Sequence, residues 1–220
     1  MALACDLIIF DCDGVLVDSE VLSVESMAGV LNEAGVPASY DMIARCFGMK
    51  QADILAAVSA ATGAVIPDDV PARIWPATRA RFEESLQPMP GIVAFLERFE
   101  GLKRCVASSS APERIRRSLE LTGLARFFGD DVFSSHQVAR GKPAPDLFLF
   151  AAGEMGVDPS RSIVIEDSIF GIQAARAAGM TAFGFGGGSH IGDGHSEILL
   201  AGGATAVEKT YAALARRILA

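Results

Sequence analysis

Leu7-Ile8-Ile9-Phe10-Asp11-Cys12-Asp13-Gly14-Val15-Leu16-Val17-Asp18-Ser19 decides how the chain reads. Four consecutive apolar residues are too few for a surface helix and lack the alternation of a half-exposed strand. Residues 7–10 therefore read as a strand covered on both faces. Two aspartates follow at once. At i and i+2 of an extended segment, Asp11 and Asp13 can face one site, while Cys12 points away from it. Beyond Ser19 the pattern turns helical: Val24, Met27, Ala28 and Leu31 recur at helical spacing, Asp18 or Ser19 can cap the start, and Gly35 and Pro37 end it. From there to about Pro90 the chain reads as helices broken by Gly and Pro, with Trp75 in their core and no strand signal.

Strand and helix alternate again after Gly91. Strands are expected at 104–107, 131–133, 162–165 and 181–185, and helices at 92–99, 112–123, 146–155, 169–178 and 207–219. The Gly-rich stretch 184–194, with His190, Asp193 and His195, reads as a flexible polar loop rather than a metal site. This order predicts an α/β fold, a parallel sheet covered on both faces. The expected division is a sheet domain from 1–15 and 88–220, with 16–87 as a helical insertion.

Composition bounds the rest. Of 220 residues, 50% are hydrophobic and 21% charged, enough apolar material for a full core. The 19 Lys+Arg against 27 Asp+Glu, net −8, leave no basic footprint for nucleic acid or an anionic membrane. Phosphate binding would need local positive charge. The four cysteines have neither zinc-site nor disulfide-framework spacing. No apolar run approaches the ~18 residues of a membrane span, and the start does not resemble a signal peptide. A cytoplasmic protein is expected.

Ligands of an open parallel sheet bind beyond the carboxyl ends of its strands. Here those ends carry Asp11 and Asp13, then Ser108-Ser109-Ser110, then Lys142 after a short loop, then Glu166-Asp167. Clustered carboxylates are costly unless a cation neutralises them, and oxygen-only ligands select a hard metal, usually Mg²⁺ beside phosphate. Hydroxyl and N–H groups at a strand-to-helix turn can hold phosphate oxygens, and a lysine adds a compact positive charge. An aspartate can attack phosphorus to give an aspartyl-phosphate, while a second carboxyl group gives and takes the proton.

At this point a family resemblance is plain. Asp11 to Ser19 resembles the first motif of the haloacid dehalogenase superfamily. Val106-Ala107-Ser108-Ser109-Ser110 is similar to its second motif, Gly141-Lys142-Pro143-Ala144-Pro145-Asp146 to its third and Val164-Ile165-Glu166-Asp167-Ser168 to its fourth. All four occur in order across nearly the whole chain. The resemblance implies a Rossmann-like core with an inserted α-helical cap of the first type. It implies Asp11 as nucleophile and Asp13 as general acid/base. Mg²⁺ would be held by Asp11, the Asp13 carbonyl and Asp167, with Glu166 as a direct or water-mediated ligand. Ser108, Ser109 and Lys142 would bind the phosphoryl group. Lys50, in the cap loop 47–51, is the candidate for reading the rest of the substrate, with Gln51, Arg79 or Arg81 as further possibilities. An Asp at position 13 implies phosphate esters rather than carbon–halogen bonds. The family's β-phosphoglucomutases carry a cap His where this chain has Ser23, and an Arg that 47–51 lacks. The expected activity is thus a phosphatase acting on a small phosphorylated metabolite, a sugar or polyol phosphate, as a monomer or weak dimer. A phosphosugar mutase and a phosphoacceptor switch are the alternatives.

Overall fold

The structure, a computed structural model, describes residues 5–46 and 49–219; Phe47 and Gly48 of the loop 47–51 lie outside the described residues. Strand β1 (Leu7–Phe10) runs through the middle of a six-stranded sheet. The others are β2 (Lys103–Ser108), β3 (Val132–Ser134), β4 (Ser162–Glu166), β5 (Thr181–Phe185) and β6 (Ala206–Glu208). Their order is β3-β2-β1-β4-β5-β6, and every neighbouring pair is parallel. The strand order reverses at β1, so the crevice beyond β1 and β4 is where such a sheet binds ligands.

The uninterrupted apolar run of β1 follows from its two covered faces. Ile8 and Phe10 pack with α5 (Ile92–Arg98), α6 (Pro112–Leu121) and α10 (Tyr211–Leu219), while Leu7 and Ile9 pack with α7 (Asp146–Glu154), α8 (Ile169–Ala177) and α9 (His195–Ala201). Burying each such side chain contributes about 1.5–3 kcal/mol. Between β1 and α5 lie α1 (Glu20–Glu33), α2 (Tyr40–Ala44), α3 (Gln51–Thr62) and α4 (Val70–Ser85). They close around an apolar cluster of their own that includes Leu31, Ile43, Val58 and Ile74. The two crossings to and from these helices run side by side: Asp18 N donates to Gln87 O at 3.0 Å and Met89 N to Leu16 O at 2.9 Å.

Four expectations need correction. The final helix begins at Tyr211 rather than at 207, because 206–208 pairs with β5 as the edge strand β6. The stretch 184–194 is not loop throughout: Gly184 and Phe185 complete β5, and α9 follows Gly194. Trp75 is half-buried at a cavity rather than enclosed in the helical core. Neither Asp18 nor Ser19 caps α1: the Ser19 hydroxyl donates to Asp13, and Asp18 accepts from Ser189. All four cysteines are buried and unbridged. Among the described residues no helix is long and apolar enough to cross a membrane.

Candidate active site

The chain leaves β1 through a turn that only glycine permits. Gly14 has φ +75°, its N–H reaches Val17 O at 2.9 Å, and a Cβ there would lie 1.8 Å from Asp167 Oδ2. The turn holds both aspartates against the end of β4, where Asp11 N donates to Ile165 O at 3.0 Å. Lys142 reaches in from the loop after β3. Its Nζ lies 2.6 Å from Asp11 Oδ1 and 2.5 Å from Glu166 Oε1, with the side chain 1% exposed. The other Glu166 oxygen accepts from Ser168 N and Oγ, and Ser168 Oγ caps α8 by accepting from Gly171 N at 3.0 Å. Gly171 leaves room for this, since a Cβ there would sit 1.9 Å from the Glu166 carboxyl.

Asp13 is held by a different set. Its Oδ1 accepts from Ser19 Oγ and Arg114 Nη2, each at 2.6 Å, and its Oδ2 from Ser110 Oγ at 2.6 Å. Arg114 stands in the first turn of α6, which begins just past the end of β2 at Ser108. The same nitrogen reaches Ser23 Oγ of α1 at 2.8 Å, and the guanidinium lies 5.2 Å from the Phe82 ring centre. Nothing in the sequence singled out Arg114, since an arginine early in an amphipathic helix ordinarily sits in solvent. Ser108 Oγ accepts from Ser110 N at 3.1 Å, and Ser109 O accepts from Ser135 Oγ at 3.1 Å. Lys50 Nζ crosses from the start of α3 to Ser135 O at 3.2 Å.

The two aspartates titrate in opposite directions. Burial pushes the Asp11 carboxyl well up, Lys142 only partly offsets it, and Glu166, Asp167 and Asp13 push it further. Burial also pushes Asp13 up, but Arg114, Ser110 and Ser19 more than offset it and hold it below the usual range. Asp167 is raised well above its ordinary value by burial and by Glu166. Lys142 is raised despite burial, because Asp11 and Glu166 favour its charge. Glu20, in the first turn of α1, is pushed up to about 8 by burial and by Asp13 and Asp167.

A cavity of about 620 Å³ opens above Asp11 and Asp13. Ser108, Ser109, Ser110 and Arg114 line it from the sheet side, Glu20, Lys50, Gln51 and Trp75 from the helical side. Lys142, Glu166 and Asp167 lie behind Asp11 rather than on its wall. Arg79 and Arg81 are elsewhere, paired at the surface with Glu83 and Glu25. The 186–194 loop folds onto the site instead of standing free. His190 Nε2 lies 3.1 Å from Asp167 Oδ2, and His195 Nε2 2.6 Å from Asp167 O, while Asp193 is exposed. Burial holds both imidazoles below their usual pKa.

The donor set suits a hard divalent cation. Asp11 and Asp167 present carboxylates whose proton affinity is raised by burial and by the acids around them, and Asp167 Oδ2 receives no aligned hydrogen bond. No three His, Cys, Asp or Glu side chains among the described residues stand close enough to enclose an ion alone. An ion here would complete its shell with a main-chain carbonyl, phosphate oxygens and water, the habit of Mg²⁺.

A family model described as haloacid dehalogenase-like hydrolase matches residues 5–179. The chain is 30% identical over 182 residues to the 6-phosphogluconate phosphatase of Escherichia coli, covering 82% of each. It is 31% identical over 209 residues to a phosphorylated carbohydrates phosphatase of Thermotoga maritima, covering 93% of this chain and 94% of that one. Among solved structures, a haloacid dehalogenase-like protein of Agrobacterium tumefaciens superposes with a TM-score of 0.84 at 36% identity, over 98% of both chains.

Proposed function

This chain belongs to the haloacid dehalogenase-like hydrolases, and on that premise we propose that it is a Mg²⁺-dependent phosphatase of small sugar or polyol phosphates. The observation that carries the reading is the pairing of two differently held aspartates under one cavity, with hydroxyls and a buried lysine around them. The relatives named for sugar-phosphate hydrolysis support the substrate class.

In this reading Asp11 attacks phosphorus, the bond to the ester oxygen breaks, and Asp13 gives that oxygen its proton. Asp13 then takes a proton from the water that attacks the aspartyl-phosphate, freeing inorganic phosphate and Asp11. Its ion pair with Arg114 keeps Asp13 in the proton-accepting form, so the first half-reaction needs Asp13 to carry a proton while Arg114 is loosened. Ser108, Ser109 and Lys142 bind the phosphoryl oxygens, Lys142 exchanging its contact with Asp11 for one with phosphate. Asp11, Asp167 and the Asp13 carbonyl would hold Mg²⁺, with Glu166, occupied by Lys142 and Ser168, reaching it through water. When bound, Mg²⁺ neutralises charge on the phosphate and the carboxylates.

Residues 16–87 act as the cap that closes over the ester and reads its hydroxyl-bearing end with Lys50, Glu20 and Gln51. Ser23, standing where mutases of the family carry His, is occupied by Arg114, which favours hydrolysis over transfer back to sugar. The test is phosphate release from a panel of sugar, polyol and sugar-acid phosphates, with Mg²⁺ and with chelator. Release confined to Mg²⁺, concentrated on one group and abolished in Asp11→Asn, is expected. Chelator-resistant release, or full activity in Asp11→Asn, overturns the mechanism.

A further inference from the structure

We propose that His190 and His195 are positioning residues for Asp167 and set how tightly the site takes Mg²⁺. The inference rests on the reading of Asp167 as a metal ligand. Asp167 follows β4 directly, and the 186–194 loop arrives from the neighbouring β5 to hold it at two points. His195, the first residue of α9, lies with Nε2 2.6 Å from the Asp167 main-chain oxygen. A carbonyl only accepts, so this ring carries its proton on Nε2. His190 Nε2 lies 3.1 Å from Asp167 Oδ2. His195 thus donates to the Asp167 backbone, while the buried His190 ring stands against the Asp167 carboxylate and limits where it can turn.

The His190 ring is built into place. Its side chain is 2% exposed, and it lies in a slot between two glycines: a Cβ at Gly14 would meet its Cε1 at 2.9 Å, and a Cβ at Gly188 would meet the ring at 2.7 Å. The adjacent Ser189 is fastened by N and Oγ to Asp18 Oδ1 at 3.0 and 2.8 Å, so the loop is tied beside the crossing between sheet and helices. A ligating carboxylate free to turn must be ordered when the metal arrives. One already oriented by its neighbours binds without that cost, and removing such neighbours typically weakens metal binding 10–100-fold.

The test is Mg²⁺ titration of the full chain by calorimetry, comparing the unaltered protein with Asp167→Asn, His190→Phe, His195→Phe and His195→Gln. Asp167→Asn should lose the binding. Each Phe variant, with an unchanged melting temperature in chelator, should bind Mg²⁺ about 10–100-fold more weakly, and His195→Gln, which can still donate to the carbonyl, should recover most of the affinity. Folded Phe variants that bind within twofold of the unaltered protein overturn the inference while leaving the metal reading intact. An unaltered protein that binds no Mg²⁺, or Asp167→Asn binding as well as it does, overturns the metal reading and this inference with it. If His190→Phe does not fold, the half-exposed His195 still decides the question.

Discussion

Arg114 and Lys142 each grip one aspartate, and the two pairs differ in what their loss would do. Arg114 faces the cavity and touches α1 as well as Asp13, so Arg114→Met leaves Asp13 with two serines and no fixed charge beside it. The expected result is a fall in kcat on the order of 10²-fold, the lower end for a positioned acid/base, with partial recovery in Arg114→Lys. A loss confined to KM would mean that Arg114 only binds substrate. Lys142 is deeper, and Lys142→Met strands Asp11 and Glu166 together in the interior. Breaking a buried pair from one side costs about 3–5 kcal/mol, which urea unfolding at neutral pH should register. Asp11, Asp13, Ser108, Glu166 and Asp167 were legible in the chain because each follows or ends an apolar strand, and Lys142 because residues 141–146 resemble the family's third motif. Arg114, Glu20 and His190 were not: their meaning comes from what lies across from them, and no local pattern marks a surface-type residue that a fold turns inward.

At the scale of elements, two helical glycines look alike in sequence and differ in consequence. Gly29 in α1 is exposed and an added Cβ meets nothing within 4 Å, so Gly29→Ala should stabilise by about 0.5–1 kcal/mol. The same change at Gly171 in α8 drives a methyl into the Glu166 carboxyl and should destabilise instead. Chemical denaturation of both variants checks the pair; stabilisation at Gly171 would mean that Glu166 has room to move. Five of the six strands were legible as short apolar runs between turn residues. The sixth, Ala206-Val207-Glu208, is three half-buried residues whose pairing with β5 is a tertiary fact. α9 was lost for a related reason, since only Leu199 of its seven residues is buried and its apolar period is too short to see.

For the whole molecule, the acids gathered between sheet and helices make stability depend on pH. Glu20 releases its proton near its ordinary 4.5 when unfolded but only at about 8 when folded. The folded state therefore loses stability as pH rises from about 4.5 to about 8, by about 1.4 kcal/mol per unit at most, and the penalty is constant above that. Glu20→Gln should raise stability in chelator far more at pH 8.5 than at pH 5, and an equal gain at both would show that Glu20 ionises freely. The buried thiols offer a separate view of the same molecule. Cys12 and Cys105 lie on opposite faces of the sheet, and Cys46 lies among the helices of 16–87, none accessible in the folded chain. A thiol-specific alkylating reagent thus has nothing to attack until some part opens. Which cysteine it marks first, read by mass spectrometry, would tell whether the helical layer peels from the sheet before the sheet itself comes apart.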